Sequence, residues 1–126
     1  MEGEATSKLA GLRILVVEDN YMVADDVCAV LENFGCHVVG PVGRIDQALA
    51  FVGKGGFDGA LLDANLHGET SAPIAIALGR ASVPFVMITG YGTLALATEI
   101  LNNAPRLIKP LKINELKTAL IATFII

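Results

Sequence analysis

The chain has 126 residues, 53% of them hydrophobic, and a formal net charge of -4 at pH 7. This length suits one domain, and the apolar content excludes a disordered chain. The nine basic residues are scattered and the apolar stretches are interrupted, which argues against a nucleic-acid-binding stripe and against a membrane span. We therefore expect one domain at residues 12–126 after a flexible segment at 1–11. That segment has no apolar block typical of a secretory signal, so we expect a cytoplasmic protein.

Short aliphatic runs alternate along the chain with stretches of helical periodicity. The first half predicts a strand at 12–17, a helix capped by Asn20 and Gly35, a strand at 36–39 closed by Gly40 and Pro41, and a helix from Ile45 to Val52. The second half predicts strands at 57–62, 84–88 and 106–108, with helices near 72–80, 94–101 and 113–124. Each helix supplies the long crossover that parallel strands need, and right-handed crossovers place helices on both faces. We predict a doubly wound α/β fold with five parallel strands and five helices.

Polar side chains follow four of the predicted strands where each strand ends: Glu18 and Asp19, then Asp63, Thr89 and Lys109. In an open parallel sheet, ligands bind outside the carboxyl ends of the strands. Three carboxylates, a hydroxyl and an ammonium are therefore expected to converge at one end of the sheet. No other set of polar residues in the sequence converges in this way.

These residue types suit phosphoryl chemistry with Mg²⁺. The ion prefers oxygen ligands, so Asp19 and Asp63 are the expected direct ligands, and the ion would offset the repulsion between clustered carboxylates. Asp63 can act as an oxygen nucleophile and form an aspartyl phosphate. Lys109 and Thr89 can donate hydrogen bonds to the product.

Over residues 12–124 the chain resembles a response-regulator receiver domain (CheY-like). The resemblance lies in the order and spacing of the residues after the strands, which are Glu18-Asp19, Asp63, Thr89-Gly90 and Lys109-Pro110. The resemblance implies the flavodoxin-like strand order 2-1-3-4-5 and phosphoryl transfer from a histidine kinase. It implies that Asp63 is the phosphoacceptor, that Glu18 reaches Mg²⁺ through water and that Asn65 offers its backbone carbonyl. It also implies a Thr89 that moves on phosphorylation, a Lys109 that pairs with the phosphoryl group and a cis Lys109–Pro110 bond.

The stretch at 83–92, together with Gly40-Pro41 and the segment at 65–69, further resembles the FATGUY class of stand-alone receivers. Met87, Ile88 and Leu111 depart from the residues usual in that class. Arg106 occupies the position where many receivers carry a switch aromatic residue. We therefore interpret Tyr91, between two glycines, as the residue that reports phosphorylation.

Two alternative functions stay open at this point. A haloacid-dehalogenase-like phosphatase also uses an aspartate nucleophile with Mg²⁺, but such enzymes usually carry a second aspartate where this chain has Asn65. A non-phosphorylated scaffold with this fold would usually have lost the acceptor or the acidic pair. Within the receiver class, a phosphate sink and a regulator that binds a downstream protein or phosphotransferase are equally compatible with the sequence.

Other reactive residue types receive structural interpretations. Cys28 and Cys36 are interpreted as reduced, buried thiols, because no zinc or thioredoxin spacing surrounds them. His37 and His67 are interpreted as surface residues. The run Gly53-Lys54-Gly55-Gly56 lacks the spacing of a P-loop and is predicted to be a turn after the second helix.

Overall fold

The computed structural model describes residues 9–89, 105–109 and 111–125. Its elements alternate along the chain as the sequence predicts. The strands are β1 Arg13–Val17, β2 His37–Val42, β3 Gly59–Asp63, β4 Asn65–Leu66, β5 Glu69–Thr70, β6 Phe85–Thr89 and β7 Arg106–Ile108. The helices are α1 Tyr21–Asn33, α2 Ile45–Lys54, α3 Ala72–Arg80 and α4 Ile113–Phe124. The predicted helix at 94–101 lies outside the described residues.

Five strands form one parallel sheet in the order β2-β1-β3-β6-β7. This order confirms the predicted doubly wound fold, because these five strands correspond to the predicted order 2-1-3-4-5. An antiparallel pair, β4 with β5, follows β3 and was not predicted. The helices among the described residues are all too short or too polar to cross a bilayer.

The core is divided between the two faces of the sheet because alternate strand residues point to opposite sides. On one face, Leu15, Val17 and Leu62 pack with apolar residues of α2 and α3. On the other face, Ile14 and Leu61 pack with apolar residues of α1 and α4. Helices on both faces leave the ends of the strands as the places where polar side chains can gather.

Strand β2 corrects one predicted boundary. It continues through Gly40 and Pro41 to Val42, although these two residues were expected to end it. β2 lies at the edge of the sheet, where a proline is tolerated because its missing N–H leaves no partner strand unpaired. Pairing with β1 shifts register there, and Gly40 has a φ of 92° before a cis Gly40–Pro41 bond.

One helix boundary and the amino-terminal start of the packed unit also differ from the prediction. Helix α2 includes Gly53 and Lys54 and ends at Gly55, whose φ of 71° suits glycine after the last turn. The run of glycines there is thus partly helical and not wholly a turn. At the amino-terminal side, Leu9 is fully buried and its carbonyl accepts a hydrogen bond from Cys36 Sγ at 3.5 Å, so the packed unit includes Leu9, before the boundary expected at residue 12.

Candidate functional site

The strand register brings the predicted site residues to the same end of the sheet. Val17 of β1 pairs with Leu62 of β3. The next residue along each chain segment, Glu18 and Asp63, therefore lies at the same end of these neighbouring strands. Thr89 pairs with Ile108, and the Lys109 backbone N–H donates to the Thr89 carbonyl at 2.8 Å. We call this end the carboxyl end of the sheet. The expected convergence of polar side chains is therefore found in the structure.

Lys109 lies between two buried carboxylates. Its ammonium is 2.8 Å from Glu18 Oε1 and 3.1 Å from Asp63 Oδ2. Glu18 is 4% exposed and Asp63 5% exposed, so the repulsion between them is weakly screened by solvent. One ammonium thus neutralises only part of the negative charge that the sheet collects here.

The pKa values of Glu18 and Lys109 reflect the low solvent access of the site. Burial and, after it, the neighbouring Asp63 together raise the pKa of Glu18 to about 7, against the opposing effects of Lys109 and the Asn20 N–H. That N–H donates to Glu18 Oε2 at 3.0 Å. For Lys109, burial opposes the charged form, but its contacts with Glu18 and Asp63 outweigh burial and raise its pKa. The ammonium therefore stays charged while Glu18 is poised to bind a proton.

Asp19 lies at the rim of the same site and is more exposed than Glu18. Its Oδ2 accepts a hydrogen bond from the His67 backbone N–H at 2.8 Å. Burial alone would raise the pKa of Asp19, but this N–H bond, the Glu18 side chain and His67 together lower it. Asp19 is therefore held as an anion. Next to it, Asn20 Oδ1 accepts the N–H groups of Met22 and Val23 and caps α1, as predicted.

The segment after β3 folds back over the acidic residues. The Asn65 N–H donates to Asp63 Oδ1 at 3.1 Å, and the Gly68 N–H donates to Asn65 Oδ1 at 2.9 Å. His67 has a φ of 51°, a left-handed conformation that histidine adopts more readily than most residues. These hydrogen bonds fix the orientation of Asp63 and hold the loop so that the His67 backbone N–H lies against Asp19.

The donor set suits a hard divalent cation. Glu18, Asp19 and Asp63 each offer a carboxylate oxygen within 4.8 Å of the others. An open cleft of about 440 Å³ reaches these groups and is lined by Asp19, Asn20, Asp63, Asn65, His67, Thr89 and Lys109. Oxygen ligands with room for retained water are what Mg²⁺ requires. A cation here would also offset the effects of burial and of the neighbouring Asp63, which together raise the pKa of Glu18.

The structure brings together Glu18, Asp19, Asp63 and Lys109, and places Thr89, 1% exposed, in the wall of the same cleft. Tyr91 and the proline of the predicted cis Lys109–Pro110 bond lie outside the described residues. His67 is the site residue that the sequence interpretation missed. Its place four residues after Asp63, in the segment that must turn away from the sheet, was the available signal.

The fold and the acidic cleft define a class of signalling module, and comparison with known proteins gives the family. Residues 14–121 match the family described as response regulator receiver domain. The chain belongs to this family, which confirms the resemblance drawn from the sequence. Receiver domains are signalling modules of two-component systems.

Three relatives illustrate the similarity. The transcriptional regulatory protein TcrA of Mycobacterium tuberculosis (strain ATCC 25618 / H37Rv) is 34% identical over 92 residues, 71% of this chain and 36% of TcrA. The chain thus spans about a third of that relative's length. The solution structure of SdrG from Sphingomonas melonis Fr1 is 36% identical, with a TM-score of 0.78, and the match covers 89% of this chain and 95% of SdrG.

A third relative bears on the metal. The receiver domain of the sensor histidine kinase PA1611 from Pseudomonas aeruginosa PAO1 is 25% identical, with a TM-score of 0.78. The match covers 90% of this chain and 97% of that domain. Its structure holds a magnesium ion coordinated in the active site cleft. A family member of similar fold therefore binds the cation that the donor set here suits.

Proposed function

We propose that Asp63 accepts a phosphoryl group from a histidine kinase in a Mg²⁺-dependent reaction. The observation that carries this proposal is the position of the Lys109 ammonium, 3.1 Å from Asp63 Oδ2, in a cleft with three carboxylates. Asp63 is the last residue of β3 and lines the cleft. The same arrangement offers a nucleophile, a partner for the transferred charge and a cation site.

In the proposed reaction, an Asp63 carboxylate oxygen attacks phosphorus and forms a new P–O bond. The P–N bond of the donor phosphohistidine breaks, and its electron pair stays with the imidazole. Lys109 moves from its contact with Asp63 Oδ2 to a phosphoryl oxygen, and the Thr89 hydroxyl donates to another. Mg²⁺ would be held by Asp19 and Asp63, with Glu18 through water and the Asn65 carbonyl, and would supply charge neutralisation.

The signalling step follows from the added charge. A phosphoryl group adds about -1.5 to -2 charges at neutral pH. That charge draws Lys109 and Thr89 to the phosphoryl oxygens and shifts the population between two arrangements of the surface around β7 and α4. We keep Tyr91 as the proposed reporter of this shift. The partners are a histidine kinase and a downstream protein or phosphotransferase. The module, which resembles the FATGUY class of receivers, acts in the cytoplasm through contacts with a downstream partner or as a phosphate sink.

Intact-mass spectrometry after incubation with acetyl phosphate tests the acceptor directly. We expect wild type to gain the mass of one phosphoryl group with Mg²⁺ and none after chelation, and Asp63→Asn to gain none. Asp58→Asn is the matched control, because Asp58 precedes the same strand at its other end and is exposed. A gain that survives Asp63→Asn contradicts the proposal. The same assay with a phosphorylated kinase tests the donor class.

A further inference from the structure

His67 lies closer to the acidic site than its exposed position in a loop suggests. Its imidazole is 64% exposed, and its Nδ1 is 3.8 Å from Asp19 Oδ2. The same Asp19 oxygen accepts the His67 backbone N–H at 2.8 Å. Hydrogen bonds from the backbone N–H groups of His67 and Gly68 hold the loop, which leaves the exposed imidazole for a separate role. It lines the cleft together with Asp19 and Asp63.

The separation of the two atoms suits a shared ion. A metal–nitrogen bond to imidazole and a metal–oxygen bond to carboxylate are each about 2.0 to 2.2 Å long. Two such bonds at one ion span about 3 Å when they meet at a right angle and about 4.2 Å when they lie in line. The 3.8 Å between Nδ1 and Oδ2 falls between these limits. One cation bound to Asp19 can therefore contact the imidazole after a small rotation of this exposed side chain, without movement of the backbone.

We propose that His67 is a specificity-determining residue for the cation site and that it adds a nitrogen ligand on the Asp19 side. This inference rests on the proposed function, because it requires the cation site at Asp19 and Asp63. Mg²⁺ prefers oxygen ligands, whereas imidazole favours ions such as Ni²⁺. The His67 side chain therefore raises affinity for nitrogen-accepting divalent ions relative to Mg²⁺.

The test compares the dissociation constants of Ni²⁺ and Mg²⁺, measured separately by isothermal titration calorimetry. His67→Gly is the main variant, because glycine keeps the N–H to Asp19 and adopts a positive φ freely. A looser loop would weaken the binding of both ions alike, and this effect cancels in the ratio of their dissociation constants. We expect the preference for Ni²⁺ over Mg²⁺ to fall by about tenfold or more, the size seen when groups around a metal are changed.

His67→Asn provides a second variant, since asparagine tolerates left-handed backbone but offers no imidazole nitrogen. His37→Gln is the matched control, because His37 is exposed and begins β2 at the opposite end of the sheet. An unchanged ratio in both His67 variants, or a loss in His37→Gln, overturns the inference while Mg²⁺ binding and phosphorylation of Asp63 stand. Absence of Mg²⁺ binding in wild type instead contradicts the proposed cation site itself.

Discussion

The two ends of the central sheet are built by the same strands but treat charge in opposite ways. At the amino end, the Arg13 backbone N–H donates to Asp58 Oδ2 at 2.8 Å, and both residues and His37 are exposed. At the carboxyl end, Glu18 and Asp63 are buried and share Lys109. Solvent screens the first set, whereas the second set must be balanced internally. Equal substitutions at the two ends should therefore have unequal, and in one case opposite, effects.

The carboxyl end of the sheet carries an excess of negative charge. Three carboxylates meet one ammonium, and Glu18 has a pKa near 7 as a result of burial and of Asp63. A proton or a cation at this end relieves the repulsion, and a transferred phosphoryl group changes it again. At the amino end, Arg13, His37 and Asp58 are exposed to solvent, so this end serves as an internal reference for each experiment below.

The largest effect is expected when the shared ammonium is removed. Lys109→Met leaves Glu18 and Asp63 without their partner, and breaking a buried ion pair in this way destabilises a protein by about 3 kcal/mol or more. We expect the free energy of unfolding in urea to fall by that order without Mg²⁺. Added Mg²⁺ should restore more stability than it adds to wild type, because the cation then replaces the missing positive charge.

Lys112→Met is the control for this experiment, since Lys112 is an exposed lysine three residues further along the chain. Surface lysines contribute little, so its free energy of unfolding should stay close to that of wild type. Equal destabilisation by both variants would show that the ammonium of Lys109 has no special electrostatic role.

The second prediction concerns pH. The folded pKa of Glu18, about 7, exceeds its ordinary value of 4.5, so between these values the folded state holds the extra proton. Stability without metal therefore falls as the pH rises through this window, and the loss is complete above about pH 7. Glu18→Gln should remove the fall and raise stability at about pH 8 by on the order of 2 kcal/mol.

Urea unfolding of wild type, Glu18→Gln and Asp58→Asn across this pH range measures the effect. Asp58→Asn should keep the wild-type fall, because Asp58 lies at the solvated amino end. Mg²⁺ should stabilise wild type more at high pH than at low pH, since cation and proton relieve the same repulsion. A wild-type stability that rises across the window would show that Glu18 is not the group that titrates there.

The elements and site residues that the sequence could predict are those with a clear hydrophobic periodicity. Helices 72–80 and 113–124 have the predicted bounds because long apolar patterns end in clear turn signals. The three-residue strand 106–108 also has its predicted bounds. Asp63 was predictable as a site residue because a strand buried on both faces leaves polar side chains only at its end. The β4–β5 pair was not predictable, since two-residue strands carry no periodicity. The contact of His67 with Asp19 arises from backbone geometry within that loop, which side-chain patterns do not encode.

The third prediction, with a smaller expected effect, concerns one glycine at each end of the sheet. A Cβ on Gly59 would lie 2.5 Å from Phe124 Cε1 at the amino end, and a Cβ on Gly43 would lie 3.2 Å from Asp19 Cα at the carboxyl end. Overpacking by Gly59→Ala should cost about 1.5 kcal/mol of stability without altering Mg²⁺ affinity. Gly43→Ala should instead displace Asp19 and weaken Mg²⁺ binding by about tenfold.

Calorimetric titration of Mg²⁺ beside urea unfolding separates these two outcomes. The control is Gly53→Ala, because a Cβ at Gly53 meets no atom within 4 Å and the residue lies in α2. That variant should be neutral or slightly stabilising. Similar losses of Mg²⁺ affinity in Gly43→Ala and Gly59→Ala would show that the two ends are coupled through the sheet, contrary to our interpretation.

The smallest effect tests whether position at the carboxyl end is enough to make a residue functional. Asn20 lines the cleft, yet its side chain accepts hydrogen bonds from Met22 and Val23 and so caps α1. Loss of that cap in Asn20→Ala should cost about 1 kcal/mol, and Asn20→Ser should recover most of it. The hydrogen bond from this residue to Glu18 comes from its backbone N–H, which both variants keep, so Mg²⁺ affinity and phosphorylation of Asp63 should persist in both. If phosphorylation instead falls in Asn20→Ala and Asn20→Ser alike, the Asn20 side-chain amide takes part in the reaction. The functional residues at the carboxyl end would then include an exposed, uncharged side chain as well as the buried charged ones.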